Sequence, residues 1–181
     1  YEGGTVPAAI VDIEENIDGK LWIGSYTEGF GWIDPNTGAY HRAPFSYGNS
    51  QSVFDIRHDK KGNLWLGTLG DGLKKYNPFT DEIEVFKSAA DSNSLCNDFI
   101  LQMSFSKDGS YLYVGTSAGL SCYDIKKKSW LTALGMQCIL RQKAINAILD
   151  DGKGNLWLGT EQGLHCYNIK SRKTTVYTVA D

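Results

Sequence analysis

The sequence predicts an all-β protein built from four-stranded antiparallel blades, and two observations support this fold class. One phrase, Gly-x-Leu-Trp-(Ile/Leu)-Gly-(Ser/Thr), occurs four times in 181 residues, and its third copy has an extra residue and Tyr instead of Trp. The aromatic positions Trp22, Trp65, Tyr113 and Trp157 recur at spacings of 43, 48 and 44 residues. A period of this size indicates an array of one supersecondary unit. The content of 20 Gly, 10 Tyr and 5 Trp is typical of strands joined by tight turns.

The second repeat begins with a strand and a turn. Residues 53–58 alternate apolar and polar side chains, which is typical of a strand. Residues 59–62 then form a turn, because Asp59 can bond its own backbone and Gly62 accepts a positive φ. Short polar residues stand at the same first turn position in the other repeats, which predicts one turn geometry used four times: Asn16, Ser106 and Asp151.

Three further strands complete the repeat. Residues 64–68 are apolar on both faces, which predicts a strand buried between two layers, and Gly67 leaves room for a closely approaching backbone or ring. After a glycine-containing turn, residues 73–77 form the third strand, which ends at Pro78. Residues 82–86 alternate polar and apolar side chains, as an outer strand does. No helical pattern occurs in the repeat.

A single four-stranded sheet cannot cover both of its apolar faces, so neighbouring repeats must stack on it. Units of about 45 residues arranged radially form a β-propeller. A β-sandwich is the competing architecture, but it does not explain near-identical turns and aromatic residues at a fixed period. We therefore predict one partial β-propeller over residues 1–181, with blades at approximately residues 5–46, 50–88, 97–134 and 143–179.

Charge and hydropathy exclude two classes of partner. A nucleic-acid-binding protein would show a basic stripe, whereas this chain has a net charge of −3. Its one run of like charge, residues 126–128, falls at a predicted hairpin turn. No stretch approaches the roughly 20 apolar residues that span a bilayer. We expect no nucleic-acid partner and no membrane contact by this segment. The chain starts with Tyr1 rather than Met, so we expect it to be an excised fragment.

The cysteines and histidines form no catalytic or metal-binding pattern. No C-x-x-C or H-x-x-x-H occurs, so we expect no cofactor, no metal and no catalytic residue. Cys122 and Cys166 occupy the same position in the third and fourth repeats, and such positions are usually more than about 7 Å apart, too far for a disulfide, while Cys96 and Cys138 have no equivalents in other repeats. We therefore interpret Cys96, Cys122, Cys138 and Cys166 as small buried or half-buried hydrophobes. We place His41, His58 and His165 on fourth, first and third strands, as surface or half-buried imidazoles.

A glycine-rich segment, Gly67-x-x-Gly70-x-Gly72, resembles a phosphate-binding loop in spacing alone. It lacks the following helix and Lys of such loops, and it joins two strands of a hairpin. We interpret it as a turn.

Residues that recur in every repeat are predicted to pack between blades, although a sugar-stacking role of the four aromatic residues is the alternative. This structural set comprises Trp22, Trp65, Tyr113, Trp157, Gly24, Gly67, Gly115, Gly159, Tyr76, Tyr123 and Tyr167.

Residues that differ between repeats are free to recognise a ligand. In propellers, the loops after the second and fourth strands share one face around the central channel. Polar and aromatic side chains there suit an oligosaccharide, and plain solvated loops are the alternative. The ligand-binding candidates in these loops are Tyr26, Glu28, Tyr47, Asp71, Asn93, Arg141, Glu161 and Gln162. Trp130, outside the repeat pattern, is a weaker candidate for a contact surface.

The pattern Asp-x-x-Gly-Asn-Leu-Trp-Leu-Gly-Thr…Gly-Leu-x-x-Tyr-Asn closely resembles the two-component regulator propeller repeat. It is intact at residues 59–77 and 151–168 and slightly altered at residues 16–34 and 106–124. The resemblance implies the periplasmic, extracytoplasmic sensor of a hybrid two-component system with a histidine kinase parent, a class common in gut bacteria that degrade polysaccharides. Members carry seven-bladed propellers, so four repeats imply a fragment that self-associates or contacts the remaining blades of its parent.

Three functions follow in order of support. The first is a non-enzymatic sensory segment that recognises a carbohydrate-derived ligand. The second is a structural or protein-interaction scaffold without its own ligand. The third is an enzyme resembling the propeller lyase that inactivates streptogramin antibiotics, but the catalytic His and metal-binding acid of that enzyme have no convincing counterpart here.

Overall fold

The computed structural model describes residues 6–43, 52–90, 93–131 and 139–178. Within these ranges it contains sixteen β-strands and no helix. The strands form four antiparallel sheets of four strands, and each sheet is ordered as the chain runs. The predicted all-β fold of four-stranded meanders is therefore confirmed, and we refer to the sheets in chain order as the first to fourth blades.

The first blade contains β1 (Ile10–Glu15), β2 (Leu21–Ser25), β3 (Gly29–Ile33) and β4 (Tyr40–Arg42). The second contains β5 (Val53–His58), β6 (Leu64–Thr68), β7 (Leu73–Asn77) and β8 (Glu82–Phe86). The third contains β9 (Ile100–Phe105), β10 (Tyr111–Thr116), β11 (Gly119–Asp124) and β12 (Ser129–Trp130). The fourth contains β13 (Ala147–Asp150), β14 (Asn155–Thr160), β15 (Gly163–Asn168) and β16 (Thr174–Tyr177).

The strands of the second blade have the bounds that the sequence pattern predicts. All five residues of β6 are buried, as expected for a strand that is apolar on both faces. The outer strand β8 has no buried residue, in keeping with its alternation of polar and apolar side chains. The run of lysines at residues 126–128 lies in a turn between β11 and β12, as predicted.

The chain divides into two compact units. Unit 1 comprises residues 1–87 and 98–100, and unit 2 comprises residues 88–97 and 101–181. Unit 1 therefore contains the first two blades, and unit 2 contains the fourth blade and nearly all of the third.

The core of unit 1 lies between its two blades. Trp22 of the first blade is 2% exposed and packs with Phe30 and with Tyr76 of the second blade, at ring-centroid distances of 5.5 and 5.8 Å. Leu64 and Leu66 of β6 belong to the same cluster and are fully buried. Burying one such side chain contributes about 1.5–3 kcal/mol.

The core of unit 2 repeats this arrangement between the third and fourth blades. Tyr113 is 2% exposed and lies in one cluster with Leu156 and Leu158 of β14, both fully buried. Tyr167 of β15 and Ile139, from the segment that joins the blades, complete the contact. In both units the aromatic residue of one blade is covered by a Leu-x-Leu pair of the next.

The opposite face of the fourth blade is uncovered in the part of the chain that the structure describes. Trp157, the equivalent of Trp22 and Tyr113, is only half-buried, and its ring stacks on Tyr177 at 5.7 Å. Cross-strand pairing places Leu149 and Leu164 on the same face. Leu149 is 58% exposed, Leu164 41% and Tyr177 51%.

The turn after the first strand is closed by an aspartate in the second and fourth blades. Asp59 accepts hydrogen bonds from the N–H groups of Lys61 (2.9 Å) and Asn63 (3.0 Å). Asp151 makes the corresponding bonds, and those from Asn155 lower its pKa to about 2. This is the self-bonded turn that the sequence predicts.

The other two blades modify that turn. Ser106 accepts a hydrogen bond from the Tyr111 N–H (2.9 Å), while Asp108 accepts one from the Ser110 N–H (2.9 Å). The prediction is wrong for the Asn16 side chain, which instead donates to the Gly62 carbonyl of the second blade (3.3 Å). An amide has a donor that a carboxylate lacks, and the inter-blade carbonyl is within its reach.

One cysteine interpretation is wrong. Cys96 is disulfide-bonded, and its partner lies outside the described residues. Cys122 and Cys166 are free thiols, buried and half-buried respectively, as predicted, and Cys138 lies outside the described residues. The distance argument against disulfides applies to equivalent strand positions of neighbouring repeats. Cys96 lies instead in the segment that connects β8 and β9, so the argument does not apply to it. No helix in the described ranges is long and apolar enough to span a membrane.

The repeated glycine of the second strand marks a close approach between consecutive blades. A Cβ atom on Gly24 would lie 2.6 Å from the Val53 carbonyl oxygen, and one on Gly115 would lie 2.7 Å from the Ile145 carbonyl oxygen. On Gly159 the nearest atom would be the Ala147 Cβ, at 3.0 Å. At Gly24 and Gly115, but not at Gly159, the nearest atom therefore belongs to the backbone of the segment that enters the next blade.

Gly24→Ala and Gly115→Ala should each lower the free energy of unfolding by about 1–3 kcal/mol, because the blades must separate to admit the methyl group. Gly159→Ala is the matched control and should cost less than about 1 kcal/mol. Urea denaturation followed by tryptophan fluorescence measures the three values. Equal losses at all three positions would contradict the assigned role of the close approach.

Candidate ligand-recognition surface at the turn ends of the blades

A hydroxyl group at the end of the second strand closes the turn that leads into the third strand, and we call this end of each blade its turn end. Thr68 Oγ1 donates to the Gly72 carbonyl (2.7 Å) and accepts from the Asp71 N–H (3.0 Å). Thr116 and Thr160 make the equivalent pair of bonds in their own blades. The turn backbone is thereby fixed, while the residues between the hydroxyl and the glycine are free to vary.

The turn of the first blade presents Tyr26. Its side chain is 51% exposed, while its N–H donates to the Ala9 carbonyl (3.0 Å) and its carbonyl accepts from the Ser52 hydroxyl. The ring is therefore attached to a backbone that is held on both sides.

Glu28 and Arg42 lie beside this tyrosine. The Glu28 carboxylate accepts a hydrogen bond from the Ala8 N–H (3.2 Å), and Arg42 donates to the Glu28 carbonyl (3.2 Å). Both side chains are exposed. The first turn end therefore combines an aromatic ring, a carboxylate and a guanidinium.

The turn of the second blade contains Asp71, which is only 9% exposed. Its carboxylate lies 3.5 Å from the Lys74 ammonium and 3.4 Å from that of Lys87. Lys74 is buried, and this burial lowers its pKa although Asp71 acts in the opposite direction. Asp71 is therefore engaged by two cations, and Lys87 is the exposed member of the three.

Phe99 is the aromatic residue of this second turn end. The N–H groups of Gly70 and Gly72 donate to the Asp98 carbonyl at 3.1 and 3.0 Å, which fixes the segment that carries the ring. The Phe99 ring carbons lie 3.4–3.8 Å from the position that a Cβ on Gly70 would take. With 51% of its surface exposed, Phe99 covers the turn and still faces solvent.

Sequence reasoning missed Phe99. The available signal was an aromatic ring at the position where Ser52 and Ala144 stand in equivalent segments of other repeats.

The remaining candidates lie in unit 2 or outside the described residues. Arg141, Glu161 and Gln162 are exposed at turn ends. The Asn93 side chain instead accepts a hydrogen bond from the Trp130 N–H (3.1 Å), which ties it to the outer strand β12. Tyr47 lies outside the described residues. Trp130 is 8% exposed and packs on Tyr123 at 5.1 Å, so it offers little contact surface.

The segment that joins the third and fourth blades is held at the turn end of the third. The Gln142 N–H donates to the Ala118 carbonyl (2.9 Å), and the Ile145 N–H donates to the Thr116 carbonyl (3.0 Å). Arg141 is carried on this held backbone.

The structure thus brings Tyr26, Glu28 and Asp71 to the turn ends of unit 1, and it places Arg141, Glu161 and Gln162 at those of unit 2. The repeated aromatic residues lie away from these surfaces, with Trp65 1% exposed and Tyr76 3% exposed.

The three histidines occupy the predicted strands. His41 on β4 stacks on Trp32 at 3.9 Å, and His58 Nδ1 on β5 lies 2.8 Å from the Glu14 carboxylate. The expectation of a surface or half-buried imidazole is wrong for His165 on β15, which is 3% exposed because its strand face packs in the contact between the third and fourth blades. Among the described residues, no group of three or more His, Cys, Asp or Glu side chains is placed to hold a metal ion.

Comparison with known proteins locates two repeats of one family. Residues 47–70 and 139–162 match the family described as "Two component regulator propeller". No curated protein matches the sequence significantly.

Solved structures share the fold. The extracellular domain of BT3049 from B. thetaiotaomicron, described as a hybrid two component system, superposes with a TM-score of 0.82 at 18% identity and is matched by 97% of this chain. The extracellular domain of BT4673 from the same organism, also described as a hybrid two component system, gives 0.68 at 26% identity over 91% of this chain. The chain spans 25% and 22% of the lengths of these two structures.

A propeller of another kind shows the same architecture. The WD40 repeats of RRP9 superpose with a TM-score of 0.72 at 11% identity, covering 98% of this chain and 53% of that structure. At this identity the likeness concerns the fold alone. The partial β-propeller predicted from the repeats is confirmed.

Asp71→Asn should lower the free energy of unfolding by about 3 kcal/mol, because it leaves the Lys74 ammonium buried beside Lys87 without the carboxylate. Lys74→Met is the control. It removes the buried charge while Asp71 keeps its contact with Lys87, so its cost should stay below about 1 kcal/mol. Denaturant unfolding measures both, and an equal or larger loss in Lys74→Met would show that the ion pair is not the dominant interaction.

Proposed function

We infer that this chain, whose repeats are those of the two-component regulator propeller family, is the extracytoplasmic ligand-recognition segment of a hybrid two-component signalling protein. The observation that carries the proposal is the conjunction of the two family matches with whole-chain likeness to extracellular domains described as hybrid two component systems. The chain spans only about a quarter of those structures. We therefore also propose, and do not take as given, that its parent protein is a histidine kinase.

The disulfide at Cys96 supports a periplasmic location. Disulfides persist in oxidising compartments such as the periplasm and are rare in the reducing cytosol. Cys96 lies in a segment that also bonds to the third blade, since its N–H donates to the Ser121 hydroxyl (2.9 Å).

We propose that the ligand is an oligosaccharide bound at the turn ends of unit 1. Sugar rings offer an apolar face to an aromatic side chain and hydroxyl groups to polar neighbours. Tyr26 stands beside Glu28 and Arg42, and Phe99 stands on the turn that carries Asp71, whose partner Lys87 is exposed. The two turn ends therefore repeat one combination of aromatic ring, carboxylate and cation.

The turn ends of unit 2 lack this combination in the residues that the structure describes. Their turns carry Ser117 and Ala118 in the third blade and Glu161 and Gln162 in the fourth. Small or polar side chains provide hydrogen bonds but no stacking surface. This difference favours unit 1 as the principal binding surface, with Arg141 and Glu161 available for polar contacts to a longer ligand.

In this proposal the segment performs no chemistry. Binding of the sugar stabilises one arrangement of the blades, and the rest of the parent protein transmits that arrangement across the membrane as a change in subunit packing. A ligand shifts such an equilibrium only by its difference in affinity for the two arrangements. Turn ends with a fixed backbone suit this role, because a ligand then binds one arrangement of the blades more tightly than the other.

A second candidate function, a scaffold that contacts other proteins or further blades, is favoured by one observation. The uncovered face of the fourth blade contains Trp157 and Leu164, whose equivalents in the first blade, Trp22 and Phe30, are buried against the second blade; Leu149 and Tyr177 lie on the same face. On the first blade, Ile13 is 60% and Val11 39% exposed. We propose that further propeller blades cover these faces, and that in the isolated chain a second copy does so.

Tyr26→Ala and Phe99→Ala should each weaken binding of an oligosaccharide by about threefold to tenfold, the loss expected for one stacking contact. A glycan array of plant and host polysaccharide fragments identifies the ligand, and calorimetry on the chain measures the dissociation constants.

Phe79→Ala is the control for these two variants, because Phe79 is 60% exposed in the turn at the other end of the second blade. An equal loss in this control would contradict the turn-end site. Failure of every glycan to bind would contradict the carbohydrate ligand itself.

The isolated chain should self-associate, and the double substitution Leu149→Lys with Leu164→Lys should shift it towards the monomer, because two ammonium groups cannot be covered by an apolar face. Light scattering across a concentration series measures the mass. Val85→Lys is the control, since Val85 is 46% exposed on the outer strand β8. A wild-type chain that stays monomeric at high concentration would contradict the proposal.

A further inference from the structure

The third strand of each blade contains one inward position that differs in all four repeats. Alignment of the repeats on the glycine that precedes this strand places Gly31, Lys74, Ser121 and His165 at that position. All four are buried. Three of them are polar, so each needs a partner in the protein.

In three of the blades, the residue at this position either has a partner in the protein or, as glycine, needs none. In the first, the residue is glycine and the buried Tyr40 ring lies over it. In the second, Lys74 meets the Asp71 carboxylate at 3.5 Å. In the third, the Ser121 hydroxyl accepts the Cys96 N–H at 2.9 Å.

In the fourth blade, the polar residue at this position lacks a hydrogen-bond partner among the described residues. His165 is 3% exposed, and neither of its ring nitrogens has a hydrogen-bond partner among the residues that the structure describes. The residues opposite it are Leu158 on β14 and Val176 on β16, and neither offers a polar side chain. A buried imidazole with an unpaired donor and an unpaired acceptor is costly, and the charged imidazolium would be more so.

The electrostatic surroundings also oppose protonation. Burial lowers the pKa of His165, and Lys143, in the segment between the third and fourth blades, lowers it further. No acidic side chain in the described residues offsets these two effects. His58 is the contrasting case, because its Nδ1 lies 2.8 Å from the Glu14 carboxylate and so has a partner in the protein.

His165 lies on the face by which the fourth blade packs against the third. Its cross-strand neighbour Leu158 belongs to the cluster that covers Tyr113, as does Tyr167 two residues further along β15. A charge at His165 would therefore be placed in the contact that joins the two blades of unit 2.

We propose that His165 makes the contact between the third and fourth blades acid-sensitive: the contact is closed while the imidazole is neutral and opens when the imidazole is protonated. The other two histidines cannot act in this way, because His58 has an acidic partner and His41 is stacked on Trp32 rather than buried without partners.

The direction of the effect follows from linkage. The folded-state pKa of His165 lies below the unfolded value of about 6.5, so the opened state binds the proton more tightly. The full stability of the contact is present above about pH 6.5, and it is lost as the pH falls towards the folded-state pKa. Over that interval the opening equilibrium rises by up to about tenfold for each pH unit.

Opening would also release part of the turn-end surface. The connecting segment reaches the third blade through the Ile145 and Gln142 N–H groups and continues into the fourth through the Asn146 N–H, which donates to the Gly159 carbonyl (2.9 Å). This segment carries Arg141 and Lys143. Mild acid would therefore alter the position of Arg141, whichever ligand is bound.

Hydrogen–deuterium exchange of the intact chain between pH 5 and pH 8 tests the proposal and needs no ligand. In the wild-type chain, protection factors for peptides covering β14 and β15 should fall by up to about tenfold for each pH unit below about 6.5. His165→Leu replaces the imidazole with an apolar side chain of similar size. In this variant the protection factors of the same peptides should be independent of pH over this range. His58→Gln is the control and should retain the wild-type loss of protection in these peptides.

A second measurement needs no variant at this position. The C2 proton of the His165 imidazole, followed by NMR in the folded chain, should titrate below about pH 6.5. A titration of His165 at or above about pH 6.5, or an unchanged acid response in His165→Leu, would overturn the proposal. A response that vanishes in His58→Gln instead would assign the effect to the Glu14 pair and overturn it equally.

Discussion

Within each of the two units, the fold depends on one aromatic side chain of the first blade that packs against the second blade of that unit. A four-stranded sheet with two apolar faces is unstable alone, so each blade must bury its second-strand aromatic residue under a neighbour. Trp22 and Tyr113 show how this is done, since each is covered by a Leu-x-Leu pair of the following blade. The glycine two residues after each aromatic allows the next blade's backbone to come close enough for that contact.

The same constraint separates structural from recognition residues. Positions inside the blade contacts are held to a few residue types, because packing admits little change in volume. The turn ends are fixed by backbone and hydroxyl hydrogen bonds instead, so an exposed side chain such as Tyr26 is not needed to hold the turn. Exposed rings such as Tyr26 and Phe99 are consequently available to a ligand while remaining attached to a rigid frame.

The third strand contains one buried position at which the residue differs in all four blades. Each blade solves the buried polar position differently, through a ring over glycine, an ion pair or a backbone hydrogen bond. His165 has none of these solutions among the described residues around it. A repeat fold tolerates such a residue because the fourth blade keeps its other contacts with Tyr113 through Leu156, Leu158 and Tyr167.

The sequence by itself determined the blades and their strands. Alternation, turn chemistry and a period of 43 to 48 residues are local signals, and they predicted the bounds of the second blade residue by residue. It also directed attention to Tyr26 and Asp71. Only the tertiary structure decided that Asp71 is neutralised by two lysines, that Phe99 stands over Gly70 and that His165 has no hydrogen-bond partner among the described residues. These outcomes depend on groups distant in sequence or on separate strands, whose separations are set by how the strands and blades pack and not by the pattern within one repeat.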